Sequence, residues 1–239
     1  VPVSIAPRGL WEASYGSGPL AGDGYFDLAL TSGAVTGLET FGGASSLATL
    51  AGSDADRLSN ILYCPSIASG NVGGVRWFTD LNLINPGASA AGVVLRLYND
   101  NGTEVVPPVC RNLSAGQQLY VSASDLFGLP DPRSAEEGVQ GYVQVESDQP
   151  LAGNIVFGDP VEGAFLSSLP FLSTSSAKRA MNFDFVATGR IGGVDYYTGL
   201  AAVNPSPDRP AQVTITLYDA SSAQVARKTV SIAPRSRFL

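Results

Sequence analysis

The 239 residues include no histidine, carry a net charge of −7 and are only 15% charged. That balance excludes Ser-His-Asp and Cys-His catalysis and imidazole-ligated zinc. It also shows no basic stripe of the kind that binds nucleic acid or anionic lipid. Gly (27) and Pro (16) are spread between short apolar runs, the composition of many strands joined by turns.

In chain order, Ser4-Ile5-Ala6-Pro7-Arg8 comes first, and the same five residues return as Ser231-Ile232-Ala233-Pro234-Arg235. A looser copy runs over 111–119, with Leu113 and Leu119 matching Ile5 and Trp11. Next comes the alternating run Gly24-Tyr25-Phe26-Asp27-Leu28-Ala29-Leu30, then Val35-Thr36-Gly37-Leu38-Glu39-Thr40-Phe41-Gly42 and a short apolar stretch with Leu47 and Leu50. Asp54 to Leu62 is read as one helical turn. Trp77 through Ile84 reads as a strand stopped by Asn85-Pro86, because proline removes a ladder donor and restricts the residue before it. Val93, Leu95 and Leu97 alternate with Val94, Arg96 and Tyr98, a period of two that marks one buried and one wet face. Asn101-Gly102 then gives a hairpin signal before Val105 and Val106. Ser122 to Phe127 fits another helical turn. Gly141 to Glu146 and Leu151 to Gly158 read as two further strands, followed by Leu166 and Leu169.

Much of this recurs at a spacing of 119 residues. Gly70-x-x-Gly73-Gly74-Val75-x-x-x-Thr79-x-Leu81-x-x-x-Asn85-Pro86 returns as Gly189-x-x-Gly192-Gly193-Val194-x-x-x-Thr198-x-Leu200-x-x-x-Asn204-Pro205. Tyr196 through Val203 repeats the strand, and Val213, Ile215 and Leu217 repeat the alternation. The runs 24–30 and 35–42 match 141–147 and 151–158. Such a period means one structural unit used twice. The expected fold class is all-β: two tandem antiparallel β-sandwich domains, Ig-like or jelly-roll-like, circularly out of phase with the termini. Their expected limits are residues 1–106 and 107–239. The Gly-Gly pairs read as turns, not phosphate loops.

The cysteines, Cys64 and Cys110, are both replaced in the other copy, by Phe183 and Thr229. Joint presence or absence is what a bonded pair shows, so a Cys64–Cys110 disulfide in an oxidising compartment is expected. It would be worth about 4 kcal/mol on a chain-entropy estimate. The alternative is two unrelated buried thiols.

The Thr-x-Leu-x-x-x-Asn-Pro run, the strand ending Leu-Tyr, and Gly-Tyr-Val-x-Val-x-Ser-Asp-x-Pro-Leu-x-Gly resemble the β-sandwich repeats of uncharacterised secreted and cell-surface bacterial proteins. The resemblance covers nearly the whole chain. It implies export and a multi-copy surface role, secreted or at the cell surface, without implying an activity.

The first copy of the Ser-Ile-Ala-Pro-Arg strand has no hairpin partner before it, and an open strand edge invites another chain. Val3, Ile5, Pro7, Leu10 and Trp11 are therefore candidates for an interchain strand. The acceptor would be the distal domain or a neighbouring copy, the latter giving a filament, whereas an ordinary edge strand of a longer array is the alternative. Trp77, Tyr98, Tyr196 and Tyr218 are candidate exposed aromatics, for packing on a neighbouring domain or stacking on a glycan. Among the carboxylates, Asp125, Asp131, Glu136 and Glu137 share one loop region, and Asp80 and Asp100 become Gly199 and Ala220 in the other copy, so they read as solvated loops rather than an acid–base pair. Asn99-Asp100-Asn101 and Asp54-x-Asp56 supply oxygen donors for calcium, but turn geometry explains the first. The reading is a non-enzymatic structural or interaction module without cofactor or metal. Its expected partners are other copies of itself, neighbouring β-sandwich domains or a glycan, with no nucleic acid and no membrane insertion. A carbohydrate- or ligand-binding module is the alternative.

Overall fold

The computed structural model describes residues 3–10, 12, 24–29, 31–43, 46–53, 58–174 and 177–239. Strand makes up 50% and helix 3%, so the chain is all-β, with antiparallel sheets that include one curled into a half-barrel. It divides into two units, residues 1–33 and 34–239. The described residues of the first form no strand; Gly9 N donates to Ala6 O (2.8 Å) to close a turn.

In the second unit the elements are β1 (Leu38–Gly42), β2 (Leu47–Ala51), β3 (Ser59–Val72), β4 (Val75–Ile84), β5 (Ala91–Tyr98), β6 (Val109–Leu113) and β7 (Gln118–Ser122). Then follow α1 (Ala123–Phe127), β8 (Val139–Gly158), β9 (Leu166–Pro170) and β10 (Leu172–Ser173). The last are β11 (Gly189–Ile191), β12 (Val194–Tyr196), β13 (Ala202–Val203), β14 (Ala211–Tyr218), β15 (Gln224–Ile232) and β16 (Arg237–Phe238).

β8 organises the main sheet. Its first half lies between β3 and β5, with Val143 opposite both Cys64 and Leu97, and Val145 opposite both Leu62 and Leu95. Its second half lies between β4 and β9, with Ile155 opposite Leu81 and Leu169. The two strands expected over 141–146 and 151–158 are thus one strand of 20 residues. Pro150 interrupts neither half: it sits where β8 changes partners, at a place that needs no ladder donor. Leu62, Leu81, Leu95, Leu97, Val143, Val145 and Ile155 form the centre of the core. Strand pairing runs across residues 106/107, since β5 pairs with both β6 and β8.

Local signals account for several elements. Gly73 and Gly74 have φ of 62° and 84° in the two-residue turn joining β3 to β4, and Gly192 and Gly193 have 59° and 86° between β11 and β12. Both pairs meet the type I′ requirement for positive φ at each central residue. Ser122 caps α1 by accepting from Asp125 N (3.1 Å), and Gly128 ends it in the left-handed region. The helical turn expected over 54–62 does not form over 59–62, which belong to β3; residues 54–57 lie outside the described residues. Local propensity loses there to pairing with β8 and burial of Leu62.

The two motif copies make the same side-chain bonds. Thr79 Oγ1 accepts from Ala68 N (3.1 Å) and donates to Ala68 O (2.8 Å); Thr198 does the same with Ala187 (3.0 and 2.8 Å). Asn85 Nδ2 donates to the carbonyls of Ser89, Leu113 and Ser114, and Asn204 Nδ2 to those of Arg209, Ile232 and Ala233. The turn after the Ser-Ile-Ala-Pro-Arg strand also recurs, with φ of 61° at Arg8, 70° at Gly116 and 53° at Arg235.

The copies differ elsewhere. Tyr196 through Val203 is not one strand, because 197–201 is irregular between β12 and β13. Those residues match 78–82, which in β4 are paired to β8.

Asn85 is fully buried, so replacing it strands several carbonyls without donors, each worth about 1 kcal/mol or more. Asn85→Ala is expected to lower the unfolding free energy by about 3 kcal/mol in urea titrations. An unchanged midpoint would show that water replaces the amide at no cost.

Candidate functional site

Of the candidate interchain residues, Val3, Ile5 and Leu10 are 47%, 42% and 88% exposed, and Pro7 is exposed as well. They do not form a strand: residues 3–10 are irregular apart from the turn at Pro7 and Arg8. Trp11 lies outside the described residues.

The expected disulfide is absent; Cys64 and Cys110 are free thiols, one buried and one exposed. Topology explains it. Cys64 is on β3 and Cys110 on β6, with β8 and β5 between them. Three strand spacings are about 14 Å, twice the Cα separation a disulfide tolerates. Burial pushes the Cys64 thiol up to about 12, and its Sγ contacts Ser66 O at 3.3 Å. Joint occurrence in one copy therefore reflects two separate sites.

The aromatics divide. Trp77 is half-buried against Phe165 and Phe157, with centroids at 4.8 and 6.2 Å. Tyr98 shares a groove with Arg96 but is not exposed: it is 6% accessible and stacks on Tyr142 at 5.1 Å. The sequence alternation assigned it outward, but Tyr142 of β8 lies directly opposite it and covers the ring. Tyr196 and Tyr218 remain 38% and 59% exposed. A polar groove of about 440 Å³ is lined by Tyr63, Arg96, Tyr98, Glu104, Glu146 and Arg235 among others. Its stacked tyrosines present no free face to a sugar ring.

Burial raises the Asp80 carboxyl, the Tyr120 hydroxyl donating at 2.7 Å opposes the rise, and the charge of Asp125 adds to it. Asp125 itself accepts from Ser122 Oγ at the start of α1. Among the described residues no cluster of three or more acids or thiols could hold a metal ion. No helix among them is long and apolar enough to cross a membrane.

The sequence reading missed Arg237. Its side chain is fully buried, with Nε donating to Asp100 Oδ1 at 2.9 Å and Nη1 to Gly141 O at 2.7 Å. Nη2 approaches the same Asp100 oxygen to 2.7 Å as an ion pair without hydrogen-bond alignment. Arg237 N donates to Asp100 O (2.9 Å), and the Tyr142 hydroxyl donates to Arg235 O (2.6 Å). Gly102, at φ 78°, lies so close that a Cβ would sit 2.4 Å from Arg235 O. These bonds fasten the chain around β16 to the β5–β6 turn and to β8. The signal was a lone arginine where the other copy has Gln118, and an Asp100 that becomes Ala220 in the matching turn of the other copy.

No family model and no curated protein matches the chain. Among solved structures, Thermotoga maritima 1070 is similar at 18% identity over 47% of this chain and 92% of that one, with a TM-score of 0.35. A likeness at that level carries no argument about fold or activity.

Removing the partner of a buried cation leaves its charge uncompensated, and the Arg237 side chain is fully buried whereas that of Arg96 is partly exposed. Asp100→Ala is therefore expected to cost about 3 kcal/mol in chemical unfolding, whereas Glu104→Ala, which leaves Arg96 within reach of water, costs less than about 1 kcal/mol. Equal costs would contradict the burial argument. Thiol titration should find one reactive cysteine per native chain, Cys110, and two after denaturation; none after denaturation would mean that a disulfide forms.

Proposed function

We propose that this chain is a non-enzymatic, secreted structural and interaction module, built from one antiparallel β-sandwich design used twice and serving as a building block of a surface filament. The observation that carries the reading is the matched hydrogen bonding of the Thr79/Thr198 and Asn85/Asn204 sites, set 119 residues apart by the repeated motif. Residues that recur with their bonds intact are bonded to their own backbone. What the unit repeats is architecture, which is the economy of surface arrays. The exposed apolar side chains near both termini and the strand edges of the second unit supply the contacts for copies of itself or neighbouring β-sandwich domains. The glycan alternative is left with Tyr196 and Tyr218, since Tyr98 is buried and Trp77 packs on two phenylalanines.

Electron microscopy of native material labelled for this chain should show linear arrays at the cell surface. Labelling confined to dispersed particles, together with turnover of a glycoside that is lost in Asp80→Asn, would replace this reading with an enzymatic one.

A further inference from the structure

The half-unit formed by residues 177–239 is an open core, and the complete unit in the same chain shows what closes it. In the complete unit Leu62, Cys64 and Ile67 of β3 are at most 2% exposed because β8 pairs alongside. The residues 119 positions later are Met181, Phe183 and Val186; they are 59%, 62% and 51% exposed, and residues 177–188 form no strand. Leu97 and Tyr98 of β5, at 0% and 6%, become Leu217 and Tyr218 at 37% and 59%. β4, continuous beside β8, is interrupted in the second copy over the residues that match its β8-paired stretch. Each difference falls where β8 would pair, while the parts that need no β8, such as β14 with β15 and β13 with β16, form normally.

The counterpart of β8 in this sequence is at the other end. Gly24-Tyr25-Phe26-Asp27-Leu28 matches Gly141-Tyr142-Val143-Gln144-Val145. Tyr142, Val143 and Val145 are buried, whereas Tyr25, Phe26 and Leu28 are 45%, 54% and 66% exposed in irregular chain. The β1–β2 hairpin that follows keeps the pairing of β8 with β9: Gly42 is opposite Leu47 as Gly158 is opposite Leu166.

We propose that residues 24–29 of a second copy enter the open half-unit as its missing central strand, between residues 178–188 and β14, so that copies join head to tail. The inference rests on the structural reading above and names the partner. The register is set by the complete unit: Phe26 lies opposite Phe183 and Leu217, Tyr25 opposite Tyr218, and Leu28 opposite Met181 and Ile215. The claim is confined to 24–29, because further on Glu39 stands where Ile155 is fully buried. Such a contact is heterologous: each copy offers one donor segment and one acceptor groove, so it propagates instead of closing at two.

The test is the mass of the 239-residue chain by multi-angle light scattering, with Phe26→Asp as a donor variant and Phe183→Asp as an acceptor variant. Both side chains are exposed and outside strands, so each variant should keep the β signature in circular dichroism. The wild type is expected to exceed 24.7 kDa increasingly with concentration, and each variant alone to stay at that mass. An equimolar mixture should stop at twice it, because one intact donor then meets one intact acceptor. If either variant loses its β signature, Leu28→Asp or Met181→Asp takes its place. A wild type that remains monomeric, variants that assemble like the wild type, or a mixture of folded variants that stays monomeric overturns the proposal. Assembly indifferent to both variants removes this register but leaves the structural role standing; glycoside turnover by a monomer removes that role itself.

Discussion

β8 touches almost every other decision in this fold. A strand of 20 residues would ordinarily expose a long ladder to solvent, but here each half is paired on both sides, first by β3 and β5 and then by β4 and β9. Its buried side chains Tyr142, Val143, Val145, Leu151 and Ile155 together contribute about 10 kcal/mol of apolar burial at roughly 2 kcal/mol each. That is comparable with the whole net stability of an ordinary domain, about 5–15 kcal/mol. The loops and the cap of α1 refine a structure that this strand makes possible.

The repeated motif shows the dependence twice over, once with the strand and once without. Where β8 is present, a run that includes Leu62 and Cys64 is a strand with a dry face. Where it is not, Met181 and Phe183 are as apolar but sit in irregular chain. The same sequence pattern thus takes two forms, and the deciding factor is a partner strand remote in sequence. This is the context dependence expected of strands, whose stability comes from cross-strand neighbours rather than from intrinsic backbone preference. Helical segments carry their hydrogen bonds within themselves and would have tolerated the loss better.

The same physics set what could be read from the amino acids alone. Period-two alternation placed β5 and β14 correctly, and Gly-Gly, Asn-Gly and Asn-Pro marked turns and strand ends, because those signals are local. Pairing order is not local. The disulfide expectation failed because nothing in the spacing of Cys64 and Cys110 reveals that β8 and β5 lie between them. Tyr98 was misassigned for a related reason: alternation fixes which side a residue faces, but not that Tyr142 waits there. Arg237 was invisible because its partner Asp100 is remote in sequence and looked like a turn residue.

The most direct measurement of the central claim is residue-resolved hydrogen exchange on dilute chain, where copies are apart. If β8 is the organising strand, amides of β3, β5 and β8 from the paired core exchange together and only through global unfolding, whereas those at 181–186 exchange orders of magnitude faster despite sharing the motif with 62–67. Equal protection of 181–186 and 62–67 in the dilute chain would contradict the account, because the second copy would then be ordered without a central strand.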